Sequence, residues 1–230
     1  MRKTITVVLI LLVLSCSFVF AEETIQKSVI ESVNFGGGFD LMTANGKFDK
    51  DSKSFKNKDM GFGGQISTTL DLSAVPNFLK EGWNAYIGLD FFFGKDITFQ
   101  DEKYPNELVG VKSNVGIKAH FILMHHFTFE TPIDFYMGMG FCRDMMIAKL
   151  NKALNRLDTV TSWGFSLYFE GSYKFADHFA VFISAIPDFT VLTKMQYSHK
   201  DDSGLKTVKT RTGIGFGFSV SAKLGFKYII

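Results

Sequence analysis

From Ile214 to the C-terminus the chain alternates with a period of two. Ile214, Phe216, Phe218, Val220, Ala222, Leu224, Phe226, Tyr228 and Ile230 share one parity, and Gly213, Gly215, Gly217, Ser219, Ser221, Lys223, Gly225 and Lys227 share the other. Only Ile229 breaks the phase. Successive strand residues point to opposite faces, whereas a helix repeats its face every 3.6 residues. The stretch is therefore a long strand with a bulky apolar face and a small or polar one. Such a strand has two unpaired edges, and the rest of the chain must cover them.

The same pattern recurs upstream. Phe62, Gly64, Ile66, Thr68, Leu70 and Leu72 alternate with Gly61, Gly63, Gln65, Ser67, Thr69 and Asp71. Trp83, Ala85, Ile87, Leu89, Phe91 and Phe93 alternate with Asn84, Tyr86, Gly88, Asp90 and Phe92. A fourth segment sets Val109, Val111, Val115, Ile117, Ala119 and Phe121 against Gly110, Lys112, Asn114, Gly116, Lys118 and His120. A sixth sets Trp163, Phe165, Leu167, Phe169, Tyr173 and Phe175 against Ser162, Gly164, Ser166, Tyr168, Glu170 and Lys174. Looser segments run from about Val29 to Met42, Ile133 to Phe141 and Phe179 to Lys194. In the last of these the alternation falters near Pro187, because Phe182 and Ile186 fall on the nominally polar parity. Proline cannot donate to a ladder, so a bulge or bend is expected there.

Eight segments result, and an even count returns both chain ends to one side of a sheet. Four connections are long and charged: about Ala44 to Asp59, Gly94 to Leu108, Cys142 to Thr159 and Met195 to Thr210. The third of these has room for a short helix over Arg143 to Leu157. Shorter ones lie near Ser73 to Gly82, Ile122 to Pro132 and Tyr173 to His178. His125 and His126 are then turn residues rather than a metal pair. Long loops on one side and short turns on the other is the asymmetry of a bacterial membrane barrel.

The N-terminus carries an export signal. Arg2 and Lys3 precede the apolar run Ile5 to Leu14, and Val19-Phe20-Ala21 offers a small-residue cleavage site before Glu22. Residues 1–21 are expected to be removed after Sec-type export, leaving residues 22–230 as the barrel domain. Lipidation at Cys16 is the other processing route. Removal of Arg2 and Lys3 takes the 25 basic residues to 23, equal to the 23 acidic ones. A neutral mature chain does not point to nucleic acid. Cys142 would be the lone mature cysteine, which leaves no disulfide and no cysteine-based metal site, and no cofactor is expected.

A soluble lipocalin-like barrel or a sandwich also alternates, but its apolar residues point inward, into a confined volume. Here the apolar parity is crowded with aromatic side chains, out of 26 phenylalanines in 230 residues. The opposite parity is Gly, Ser, Asn and scattered charge, which suits a narrow interior. Bulky aromatics suit lipid, and backbone polar groups in lipid demand a closed sheet. Phe175, Phe179, Phe226 and Tyr228 fall at one set of strand ends, and Phe39, Phe93, Phe141 and Trp163 at the other, as two aromatic girdles. The expected fold is an all-β, eight-stranded antiparallel up-and-down transmembrane β-barrel in the bacterial outer membrane.

The run Gly213 to Ile230 resembles the C-terminal strand by which outer-membrane barrels are recognised for assembly, with Ala222, Leu224, Phe226, Tyr228 and Ile230 matching at alternate positions. Ile230 stands where that group usually ends in Phe. Tyr173-Lys174-Phe175-Ala176-Asp177-His178-Phe179-Ala180 resembles the short inter-strand turn of small barrels of the OmpA/OmpX/OmpW type. The resemblance implies a fold and a location. It also implies outer-membrane lipid and the assembly machinery as partners, and a monomer.

Chemistry is sparse. Lys112, Lys118, Lys174, Arg211, Lys223 and Lys227 are expected to pair in the lumen with Asp71, Asp90, Glu130, Asp134 and Glu170, since unpaired charge there is costly. His120, Ser166 and Ser219 share the lumen parity, but no oriented nucleophile and base is visible, and an enzyme is not expected. The runs Gly36-Gly37-Gly38 and Gly61 to Gly64 lack the strand-loop-helix setting of a phosphate cradle and read as wall curvature. The leading expectation is a passive barrel for small, apolar solutes. Phe182, Ile186 and Pro187 would line a lateral opening, with Tyr86, Phe92 and Tyr168 as further large lumen residues. Barrels of the OmpW type, which the chain resembles, have a hydrophobic lumen that opens sideways. The alternative is a surface interaction protein whose four long loops contact external partners; a lumen-sited lipid-modifying enzyme comes third.

Overall fold

A computed structural model describes residues 28–47, 54–76, 79–94, 97–101, 109–111, 114–149, 156–200 and 206–230. The expected signal segment lies outside these residues. Ten strands form: β1 (Ile30–Lys47), β2 (Ser54–Asp71), β3 (Trp83–Gly94), β4 (Ile97–Asp101), β5 (Val109–Val111), β6 (Asn114–Thr128), β7 (Ile133–Lys149), β8 (Arg156–Ala176), β9 (Phe179–Lys200) and β10 (Lys206–Ile229). Eight of them close an all-antiparallel, up-and-down barrel, because β1 pairs with both β2 and β10. The short β4–β5 hairpin attaches to the outer end of β2 through Phe55–Asp101 and Lys56–Gln100. The chain ends meet across the seam, where Ile230 N–H donates to Glu31 O at 3.0 Å.

The alternation sorts the two faces as expected. Phe141 and Phe216 are each 72 % exposed and Phe62 is 67 % exposed, all on the outer wall. Asn34, Asp90, Lys118, Ser166 and Lys227 are buried inside. Burial of the small, polar parity and exposure of the aromatic one excludes the soluble alternative, in which the faces would be reversed. No helix among the described residues is long and apolar enough to cross a membrane; the strands do the crossing.

The strands are longer than the sequence pattern suggested. Crossing a bilayer takes roughly 9–11 tilted residues, whereas β8, β9 and β10 hold 21, 22 and 24. Three of the expected long loops are therefore largely strand: residues 48–53, 150–155 and 201–205 are all that separate their hairpins. The helix expected over Arg143 to Leu157 is replaced by β7 up to Lys149 and by β8 from Arg156. Polar side chains on a strand that has left the bilayer lose the apolar half of the alternation, so sequence period alone could not follow them.

Two further expectations fail locally. His125 and His126 sit on β6, not in a turn, and point to opposite faces: His125 packs against Trp83 outside, His126 stacks on Tyr136 inside. Pro187 introduces no register shift. The shift in β9 falls between Thr190 and Leu192, where Trp163 pairs with Leu192 and Gly164 with Thr190, so Val191 is the extra residue. Pro187 has a milder effect: the β8–β9 ladder passes from Ser166–Asp188 to Phe169–Ala185 without bridging Leu167 and Tyr168. The missing N–H leaves the chain in register and removes a rung.

Candidate functional site in the barrel lumen

β9 climbs from the two-residue turn Asp177-His178, and β8 descends to it, so inward residues stack in layers. Asp188 on β9 and Ser166 on β8 form an upper level. Ile186 and Tyr168 form the one below it. Ser184 and Glu170 form a lower one.

The upper layer is charged. Lys118 Nζ donates to Ser219 at 3.0 Å and Ser221 at 3.1 Å, and lies 3.4 Å from both Asp188 and Asp40. Lys223 holds Asp40 at 2.7 Å, and Ser221 donates to the same carboxylate. Asp188 also accepts from Ser166 at 2.7 Å and Ser219 at 3.0 Å, and His120 Nε2 lies 3.0 Å from its Oδ1. His120 Nδ1 lies 3.5 Å from Asp90. This is a pairing of buried charges, in which each carboxylate–cation contact offsets desolvation. Ser166 donates to Asp188 rather than to His120, and Ser219 does the same, so neither of these hydroxyls donates to an imidazole base.

The middle layer is apolar. Tyr86, Ile122, Met124, Tyr136, Tyr168 and Ile186 pack as one cluster, each 3 % exposed or less. The Tyr86 and Tyr168 rings stand 4.6 Å apart. Their hydroxyls are satisfied at the edge, Tyr86 by Gln65 and Tyr168 by donation to Glu170. Glycine makes the room: a Cβ on Gly88 would lie 2.4 Å from the Tyr86 hydroxyl, and one on Gly116 would lie 1.8 Å from the Phe92 ring.

The lower layer pairs Lys227 with Glu170 and places Lys227 Nζ 4.1 Å from the Tyr136 ring centroid. Glu31 accepts from Asn84 and from Tyr136, the latter at 3.0 Å, and lies 3.6 Å from His126, whose other nitrogen is 3.1 Å from Asp134. These contacts span the barrel from β1 to β3, β6 and β7.

Phe182, Ile186, Tyr86, Phe92 and Tyr168 all point into the lumen and are buried. The structure brings Tyr86, Tyr168 and Ile186 together. Phe92 lies higher, against Gly116 and 5.9 Å from Lys118 Nζ. Phe182 lies lower on β9 and leans along the wall over its ladder partner Gly225 on β10 and over Gly36 on β1. Pro187 is on the outward parity. Of the expected lumen charges, Lys118, Lys223, Lys227, Asp90 and Glu170 are buried inside, whereas Lys174 and Glu130 are exposed at the turn side. Lys112 and Arg211 carry side chains outside the described set. The pattern missed Asp144, assigned to a loop, and Ile122 and Met124, assigned to a turn. It missed Asp188 because the faltering phase at Pro187 concealed its facing. Restoring strict alternation through Pro187 would have found it.

No family model and no curated protein matches the sequence. Solved structures do match its shape. A major outer membrane protein from Thermus thermophilus superposes with a TM-score of 0.56 at 12% identity, covering 84% of this chain and 99% of that one. The outer membrane protein OprG from Pseudomonas aeruginosa superposes with a TM-score of 0.54 at 13% identity, covering 90% and 100%. At such identity the likeness is one of fold. The location follows from the wall: closed barrels with an aromatic, apolar exterior are how bacterial outer membranes are crossed by strands. The chain is an integral outer-membrane β-barrel with the fold of the small bacterial barrel proteins.

Proposed function

We propose that the protein is a surface interaction protein: a closed barrel that anchors projecting β-hairpins for an external, polyanionic partner. The observation that carries this is the length of the strands beyond the bilayer. The outward aromatic belt of β8 runs from Trp163 to Phe175, and seven further residues reach to Arg156. β9 continues nine residues past Val191, to Lys200. At about 3.3 Å per residue this is roughly 23–30 Å of strand beyond the aromatic belt. The outer ends of β9 and β10, residues 193–200 and 206–212, carry Lys194, Lys200, Lys206, Lys209 and Arg211 and no acidic residue, and the sequence between them holds Asp201 and Asp202. Basic, regular hairpins suit an anionic polymer better than an apolar solute. The packed lumen favours the same reading, because the Lys118–Asp188 layer and the Tyr86–Tyr168 layer fill the axis.

The test replaces residues 194–212 with a two-residue turn joining Thr193 to its ladder partner Gly213. Vesicles bearing either form are passed over immobilised heparin, with uncharged dextran as control. The intact protein should be retained on heparin alone, and the shortened one should lose at least tenfold in retention while still folding. Equal retention of both forms, or none by the intact protein, would end this reading.

A second reading rests on the rung missing opposite Pro187. Ile186 and Tyr168 line the lumen at the point where the β8–β9 ladder is unbridged. A small apolar solute would leave there, sideways into lipid. Pro187→Val restores an N–H donor to β9. Uptake of an apolar fluorophore into reconstituted vesicles should fall if this wall opens, and an unchanged rate would discard the lateral route.

A further inference from the structure

The upper lumen layer holds more acid than base. Asp40, Asp90, Asp144 and Asp188 are all buried, each 4 % exposed or less, facing Lys118, Lys223 and His120. Asp40 and Asp188 are held by the lysines and serines described above. Asp144 lies in the field of Lys118 and His120, but its Oδ1 has no hydrogen-bond partner although the residue is buried, and neither oxygen of Asp90 has one. Two residues before it on β7, and therefore on the same face, stands Cys142, 2 % exposed. The Cys142 Sγ, a carboxylate oxygen of Asp144 and one of Asp188 lie within 4.8 Å of one another. The imidazole of His120 sits at the edge of this group, 3.0 Å from Asp188 Oδ1.

We propose that Cys142, Asp144 and Asp188 form a binding site for a single divalent transition-metal ion of the zinc type. One sulfur and two carboxylate oxygens suit a borderline-soft ion; calcium and magnesium take six or more oxygens. Tetrahedral zinc bonds of about 2.0–2.3 Å hold ligand atoms roughly 3.3–3.8 Å apart, so the site closes with shifts of at most about 1.5 Å. His120 or a water completes the fourth position. Binding converts the Cys142 thiol to a metal-bound thiolate and releases its proton to solvent. The dication then answers the carboxylate oxygen that no hydrogen bond reaches and ties β7 to β9 over the intervening β8. Sequence spacing hid the site because Asp188 lies 44 positions beyond Asp144, on a strand whose facing Pro187 obscures.

The test uses the full chain folded in detergent, with folding read by its heat-dependent shift on a gel. After exposure to zinc and removal of excess by gel filtration, one equivalent per chain should remain by elemental analysis. Cadmium in its place should give a thiolate-to-metal absorption band in the ultraviolet. Cys142→Ser should abolish that band, Asp144→Asn should weaken retention by about tenfold or more, and His178→Gln, at the exposed turn, should change neither. The site is refuted if folded wild-type protein retains no metal or binds cadmium without the thiolate band, or if the Cys142 and Asp144 variants retain metal as wild type does. In a Cys16→Ser background Cys142 is the only thiol, so the band in that chain decides the question even where a further variant fails to fold.

Discussion

Lys118 is the group on which the upper lumen turns, and its removal has a calculable cost. The ammonium is fully buried and touches Ser219, Ser221, Asp188 and Asp40 within 3.4 Å. Lys118→Met keeps the stem and deletes the charge. Breaking a buried ion pair by deleting one partner costs about 3–5 kcal/mol, because the other charge stays desolvated. Here the stranded carboxylates keep other donors, Lys223 for Asp40 and Ser166, Ser219 and His120 for Asp188. The lower end applies: about 3 kcal/mol, or roughly 150-fold in the folding constant. Asp188→Asn removes one of the charges that Lys118 answers. The double variant should therefore recover about 1–2 kcal/mol relative to the sum of the single ones, within the range for groups in one network. The assay is reversible urea unfolding in lipid vesicles with a chelator present, followed by the fluorescence of lipid-facing Trp163. A Lys118→Met barrel within about 1 kcal/mol of wild type, or strict additivity of the pair, would show that the layer is not held by charge.

Two contrasts test the wall and the lumen. Gly116→Ala puts a Cβ 1.8 Å from the Phe92 ring, an overpacking expected to cost about 1–3 kcal/mol, whereas Gly171→Ala meets nothing within 4 Å and should be close to neutral in the same unfolding assay. Met139, 58 % exposed near the middle of the β7 span, faces lipid; Met139→Lys should cost about 2–4 kcal/mol on insertion into vesicles. A Met139→Lys variant that folds in the bilayer as readily as wild type would contradict the assignment of that face.

The sequence made the membrane-embedded part of this fold legible because two solvents write on alternate residues there. Phe216, Phe218, Phe226 and their small partners differ in size as well as polarity, so facing could be read residue by residue. Where the strands leave the lipid, one of those solvents is lost. Lys56, Asn57, Lys58 and Asp59 on β2 follow one another with no apolar residue among them, and the same stretch therefore reads as a loop. Pro187 misled for a different reason. It is a poor strand residue on propensity grounds, but its missing donor costs a rung and not the register, because β10 still pairs continuously with β9 from Phe179 to Thr190. Phe182 and Ile186 were exceptions to the polar face, and these exceptions were lumen packing.

That packing also explains why the site itself was only half visible. A narrow barrel must fill its axis, and this one fills it in layers of unlike chemistry. Glycines at positions 88 and 116 admit the rings of Tyr86 and Phe92, so the apolar layer is written as much in the absence of side chains as in their presence. The charged layer above it joins β1, β3, β6, β7, β8, β9 and β10, through residues far apart in the chain. Facing is a local property and can be read from one strand. Partnership between facing residues depends on how the strands pair and close: Lys118 on β6 meets Asp40 on β1 only across the closed barrel, and Cys142 and Asp144 meet Asp188 only where β8 seats β7 and β9 on either side of it.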